Sequence, residues 1–134
     1  MANQRSMKKE LANFEDIVLF VDSFYNKVQS DDLIGPVFDS VITDWQPHLE
    51  KMYNFWNAAL FGVPGFKGNP FARHAPLSLQ EHHFERWLLL FQQTIDTYFE
   101  GTMAEEVKKK ADIMAILFLS KIDNMKGGAN RVIV

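Results

Sequence analysis

The chain has 134 residues, of which 47% are apolar, which is enough for one domain with a single hydrophobic core. Its net charge of -3 and pI of about 5.8 are unlike those of a nucleic-acid-binding domain. Because the chain has no cysteine, disulfides, thiolate metal sites and a cysteine nucleophile are excluded. No apolar stretch approaches the roughly 18 residues of a membrane span, and the polar N-terminus lacks a signal-peptide pattern, so we expect a cytoplasmic protein that binds neither membrane nor nucleic acid.

The first helix is predicted to begin after Asn13, a residue type that favours the N-cap position, and to end before Ser30. Residues 1–12 are polar, and we expect them to form a flexible segment. The apolar residues of the helix recur at helical spacing: Phe14, Ile17, Val18, Val21, Phe24, Tyr25 and Val28. Tyr25 lies near the middle of this stripe, so its hydroxyl is predicted to be buried and to need a hydrogen-bond partner.

A tight apolar corner over residues 33–38 ends in Phe38 and leads to a second long helix over residues 44–61. The apolar arc of that helix consists of Trp45, Leu49, Met52, Phe55, Trp56, Ala59 and Leu60. His48 falls inside the arc, one turn before Met52. Taken alone, His48 is most simply a core histidine bonded to a carbonyl.

The connection over residues 62–77 has little helical pattern, and a loop of about 15 residues in a compact domain is usually functional or disordered. Its apolar residues favour an ordered loop that wraps a ligand. His74 lies in this loop between Pro70 and Pro76, on a backbone that the prolines stiffen. Such a segment suits an axial metal ligand, although an exposed or capping histidine is the simpler interpretation of the segment alone.

The last two helices each begin with a predicted capping box, Ser78-Leu79-Gln80-Glu81 and Thr102-Met103-Ala104-Glu105. The third helix buries a face made of Phe84, Trp87, Leu88, Phe91, Ile95, Tyr98 and Phe99. His82 points with the polar residues and His83 lies on the flank, so neither is predicted to be a ligand. The fourth helix keeps its spacing up to Met125, and residues 127–134 are predicted to be a flexible tail. With no strand pattern, the fold is predicted to be all-α, with one domain over residues 13–126.

Three polar side chains therefore lie in the apolar faces of three different helices: Tyr25, His48 and Trp87. Leaving a buried polar group unpaired costs roughly 1–3 kcal/mol, so a shared cavity with a polar ligand is an economical explanation. With His74 as a single axial ligand, aromatic walls and no cysteine or carboxylate cluster, the pattern favours haem over zinc. A cofactor-free helical interaction module is the alternative, in which the aromatic residues are only core.

Motifs over residues 14–125 resemble the truncated haemoglobins, most closely their third group. The matching motifs are Phe24-Tyr25-x-x-Val28, Leu33-Ile34-Gly35-Pro36-Val37-Phe38, Trp45-x-x-His48, Asn54-Phe55-Trp56, Gly68-Asn69-Pro70, His74 with Leu77, and Phe84-x-x-Trp87-Leu88-x-Leu90-Phe91. The resemblance implies a two-over-two helical sandwich around haem b, with loop in place of much of the proximal helix.

The resemblance also implies roles for single residues. His74 would be the proximal iron ligand, Tyr25 and Trp87 the distal hydrogen-bond donors, and His48 the distal-helix histidine that gates or lines the pocket. Further cofactor contacts would come from Phe38 and Phe91 beside the porphyrin, Met52 on the distal side and Arg73 near the propionates. Pro76 comes early compared with the family pattern, which bears on the tilt of the proximal segment.

The implied ligands are dioxygen, nitric oxide, carbon monoxide and cyanide. Two distal donors suit redox chemistry on the ligand, such as nitric oxide oxidation or peroxide activation, which would need a reductase as partner. A ligand sensor or carrier without turnover is the alternative within the same family.

Overall fold

The computed structural model describes residues 8–64 and 79–131, with side chains up to residue 121. Its helices are α1 (Phe14–Ser30), α2 (Gly35–Asp39), α3 (Trp45–Phe61), α4 (Glu81–Tyr98) and α5 (Thr102–Arg131). The described residues form no strand apart from an isolated bridge between Lys9 and Phe99, so the predicted all-α class is confirmed. None of the helices described is both long and apolar enough to cross a membrane.

Helix α1 lies at the centre and packs against α2, α3 and α4. Its start is the predicted one, because the Asn13 side chain accepts a hydrogen bond from the Asp16 N–H at 3.0 Å. The fully buried Phe20 meets Trp56 of α3 and Phe91 of α4 edge-on, with ring centroids 5.9 and 5.8 Å apart. The core is therefore an aromatic cluster that joins three helices.

The turn between α1 and α2 is organised by Asp31. Its carboxylate accepts hydrogen bonds from the backbone N–H groups of Leu33 and Ile34, each at 3.0 Å, and pairs with Arg86 of α4 at 2.7 Å. Gly35 follows, and a Cβ added there would lie 2.9 Å from the Val28 carbonyl oxygen. The close approach of α2 to the end of α1 therefore requires glycine, and it places Phe38 against the core.

Residues 8–12, within the segment predicted to be flexible, pack against the corner between α4 and α5. The Lys9 N–H donates to the Tyr98 carbonyl at 3.2 Å, and the Glu100 N–H donates to the Lys9 carbonyl at 3.0 Å. Leu11 is only 1% exposed, which its polar neighbours gave no reason to expect. The Glu10 carboxylate accepts the N–H of Met103 in the first turn of α5. Residues 1–7 lie outside the described ranges, so their flexibility stays a prediction.

Two predicted helix ends differ from the structure. Helix α4 begins at Glu81, and its capping box is formed by Gln80 and His83. The sequence predicted a box formed by Ser78 and Glu81, of which Ser78 lies outside the described residues. Helix α5 runs through the glycine pair at residues 127–128 to Arg131, beyond the predicted end. A glycine inside a helix costs only about 1 kcal/mol, which does not by itself end a helix. The flexibility of the tail stays a prediction.

Candidate functional site

A cavity opens among the helices, with space of about 670 Å³ including its mouth. Its walls are mostly apolar and aromatic, and they come from all five helices and from Leu79: Phe24, Tyr25, Ile34, Phe38, Met52, Phe55, Trp56, Leu79, His83, Phe84, Trp87, Met114, Ala115 and Phe118. The cavity therefore has the walls of a site for a mostly apolar ligand.

Tyr25 and Trp87 both line this cavity, and both contact Phe24. The Phe24 ring meets both edge-on, with centroid distances of 4.9 Å to Tyr25 and 5.4 Å to Trp87. Burial raises the pKa of the Tyr25 hydroxyl, so the phenol keeps its proton and remains a donor. Within the described residues, neither the Tyr25 hydroxyl nor the Trp87 indole N–H makes a hydrogen bond. Two donors on one cavity thus remain for a ligand.

His48 does not line the cavity with them. Its imidazole packs edge-on against Tyr25, with ring centroids 5.0 Å apart, and against Trp45 at 5.7 Å. The predicted position of His48 in the apolar arc of α3 is therefore correct, and its nearest functional neighbour is the Tyr25 ring.

The predicted cofactor contacts divide into three groups. Phe38 and Met52 line the cavity, and their contact with the cofactor stays a prediction. Phe91 lies behind the wall, where its ring stacks on Trp87 at 5.4 Å with an angle of 14° between the planes, so it supports a lining residue. His74 and Arg73 lie outside the described residues, and their roles stay predictions.

His83 was not predicted to be a ligand, but it lies in the cavity wall. The helical pattern put His83 on a flank, and it did not show that the wall continues onto this flank of α4. Met114 and Phe118 of α5 line the cavity as well. Helical spacing finds an apolar face but does not distinguish a packed face from the wall of a cavity.

A second, more polar pocket lies between α1 and α3, and Tyr25 borders it as well. In its wall the Tyr53 hydroxyl donates a hydrogen bond to the Asp22 carboxylate. Burial, together with this hydrogen bond to the negatively charged Asp22, raises the pKa of Tyr53 to about 12. Tyr25 thus stands between an apolar cavity and a polar one.

The comparisons with known proteins agree with this geometry. The model of the bacterial-like globin family matches residues 10–120. The group 3 truncated haemoglobin of Campylobacter jejuni is 32% identical over 117 residues, which are 84% of this chain and 92% of that protein. The chain belongs to the group III truncated haemoglobins. The crystal structure of a group III truncated haemoglobin from the same organism superposes with a TM-score of 0.81 at 31% identity, covering 87% of this chain and 95% of the other.

More distant haemoglobins share the fold. A thermostable haemoglobin from Thermobifida fusca has a TM-score of 0.71 at 19% identity, over 81% of this chain and 92% of its own. An oxygen-avid truncated haemoglobin from Bacillus subtilis also reaches 0.71, at 24% identity, over 80% of this chain and 93% of its own. As a truncated haemoglobin, the protein takes haem as its cofactor and binds small diatomic ligands such as dioxygen. The aromatic cavity and its two available donors fit that cofactor.

Proposed function

We propose that this truncated haemoglobin holds dioxygen firmly, with Tyr25 and Trp87 as the distal hydrogen-bond donors and His74 as the protein ligand of the haem iron. The observation that supports the proposal is the buried Tyr25 hydroxyl, which borders the cavity and has no hydrogen-bond partner in the described part of the chain. When bound, the haem supplies an iron atom that coordinates a diatomic ligand and exchanges electrons.

The two donors act on the partial negative charge of such a ligand. A neutral phenol can donate a hydrogen bond to an acceptor, and an indole N–H acts only as a donor. A hydrogen bond to a charged acceptor contributes roughly 1.5–3 kcal/mol, and each 1.4 kcal/mol changes affinity about tenfold. Both rings are fixed by their neighbours, Tyr25 by Phe24 and His48, and Trp87 by Phe24 and Phe91. The site is therefore arranged before the ligand arrives.

The remaining residues shape the cavity around the cofactor. Phe38 and Met52 wall it from α2 and α3, and Arg73 is proposed to face the propionates. His48 is proposed to act on the ligand through Tyr25, because its ring contacts the phenol edge-on.

Strong hydrogen bonding to the ligand favours chemistry over easy release, so the proposed reactions are nitric oxide oxidation or peroxide activation. Either would proceed in the cytoplasm with a reductase that returns electrons to the protein. A sensor or carrier of dioxygen, nitric oxide or carbon monoxide is the second candidate, and the same two donors would serve it. Multiple turnovers of nitric oxide in the presence of a reductase distinguish the enzyme from the sensor, which reacts once.

The first experiment is the absorption spectrum of the purified protein with one equivalent of haemin, taken oxidised, reduced, and reduced under carbon monoxide. Cyanide added to the oxidised protein provides a further ligand test. We expect a Soret band that shifts with each ligand as in histidine-ligated haem proteins. A protein that takes up no haemin would contradict the proposal.

A further inference from the structure

His83 occupies a distinctive place in the cavity wall. It lies in the first turn of α4, half-buried, while its neighbour His82 is exposed to solvent. It is the only imidazole among the described lining residues, and the residues beside it in the wall, Leu79 and Phe84, are apolar.

The start of α4 fixes which nitrogen of His83 carries the proton. The backbone N–H of Gln80 donates to Nδ1 of His83 at 2.9 Å, and the Gln80 side chain accepts the N–H of His83 in return. Nδ1 is thus an acceptor, and a neutral imidazole with Nδ1 as acceptor carries its proton on Nε2. Ligation of iron through Nε2 would require the proton on Nδ1, where it would meet the Gln80 N–H. His83 is therefore set up as a hydrogen-bond donor and not as an iron ligand.

We propose that Nε2–H of His83 donates a hydrogen bond to a haem propionate at the mouth of the cavity. Carboxylates are the anionic part of this cofactor, and a half-buried residue marks the rim where they can also reach water. The N-terminal end of α4 adds a partial positive charge at the same place, which favours an anion there. This inference rests on the haem binding of the proposed function and adds a residue that holds the cofactor's charged edge.

The test compares His83→Gln with His83→Glu, since both side chains can accept the Gln80 N–H at this position of a capping box. Gln can still donate to a carboxylate, whereas Glu places a negative charge opposite it. We expect His83→Glu to lose haem to an excess of apomyoglobin about tenfold faster than His83→Gln, a change of about 1.4 kcal/mol. His82→Glu is the matched control, because it adds the same charge one residue away on the exposed side, and we expect it to lose haem at the wild-type rate.

Haemin dimethyl ester, in which both propionates are methylated, identifies the partner of His83. With the ester, the Glu and Gln variants are expected to lose the cofactor at the same rate, because no carboxylate remains to be repelled. Equal rates with ordinary haemin would overturn the inference while leaving haem binding itself intact. A protein that takes up neither form would overturn the proposed function instead.

A second variant keeps the inference testable if His83→Glu does not fold. His83→Leu removes the donor without adding charge, and its lost cap affects both forms of the cofactor equally. We expect it to lose haemin faster than the wild type by a clearly larger factor than it loses the dimethyl ester. The same factor for both forms would overturn the inference.

Discussion

The imidazole of His48 meets the phenol ring of Tyr25 edge-on, with centroids 5.0 Å apart and an angle of 85° between the planes. Tyr25 belongs to α1 and His48 to α3, so the contact exists only because the two helices pack together. Tyr25 also borders the polar pocket that contains Asp22 and Tyr53. The Tyr25 ring is therefore held by neighbours on its own helix and on two others.

Tyr25→Phe is predicted to raise the dioxygen dissociation rate about tenfold or more, because it removes a hydrogen bond to a partly charged ligand. Stopped-flow replacement of dioxygen by carbon monoxide measures the rate. Tyr98→Phe makes the same chemical change at a tyrosine that does not border the cavity, and it should leave the rate unchanged. An unchanged rate in Tyr25→Phe would remove Tyr25 from the distal site.

His74→Gly is predicted to weaken haem retention sharply, because the haem iron loses its protein ligand. Free imidazole added to the variant should restore the spectrum of the wild-type protein by occupying the space of the lost side chain. His82→Gly serves as the control, since this exposed histidine is not proposed to touch the cofactor. A His74→Gly variant with wild-type spectra and wild-type haem retention would show that another residue ligates the iron.

Asp31→Ala is predicted to lower the free energy of unfolding by about 2 kcal/mol, because two backbone N–H groups lose their acceptor. The pair with Arg86 adds little to this figure, since that side chain is 40% exposed. Urea unfolding at neutral pH measures the difference. Asp32→Ala is the control, because Asp32 is the exposed neighbour of Asp31. It should change the free energy of unfolding by less than about 0.5 kcal/mol.

The contribution of Asp31 should also depend on pH. Burial raises the pKa of this carboxyl, but the N–H of Ile34, the Arg86 guanidinium and the N–H of Leu33 together outweigh burial and lower it. A lowered pKa in the folded protein stabilises it above the ordinary pKa of about 4, and the stabilisation is lost as the pH falls further. The stability difference between wild type and Asp31→Ala should therefore shrink in acid. A difference that stays constant down to the acid end of the titration would contradict this account.

The stabilising contribution of Tyr53 should be lost at high pH, whereas that of Asp31 is lost at low pH. Its pKa is raised to about 12 in the folded protein, against about 10 for an ordinary tyrosine, so the folded state keeps a proton that the unfolded state releases. The resulting stabilisation is fully present below about pH 10 and is lost as the pH rises toward about 12. Wild-type stability should fall more steeply over this interval than that of Tyr53→Phe, as measured by urea unfolding. Parallel curves for the two proteins would contradict the prediction.

The helical spacing of apolar residues in the sequence determines where the helices form, because each apolar stripe must be buried against another element. The stripe of α1 is largely buried from Ile17 to Val28 and includes Tyr25 as predicted, but Phe14 at its start is exposed, and Phe20, which the stripe left out, is fully buried. Trp87 lies on the inner side of α4 as predicted. Local signals were less reliable at the ends of helices. Ser78 and Glu81 match a capping box in sequence, yet Gln80 and His83 form the box, since several residues near a helix start compete for the same few N–H groups.

By itself, the sequence determined the all-α class, the aromatic core and the positions of Tyr25 and Trp87 on the inward faces of their helices, because these depend on helical periodicity. Only the tertiary structure decided that Phe91 stands behind Trp87, that His48 contacts Tyr25 instead of the cavity, and that His83 belongs to the wall. Those assignments depend on how far neighbouring helices are offset and rotated against each other. That information lies in the packing between elements and not in the spacing of residues along any one of them.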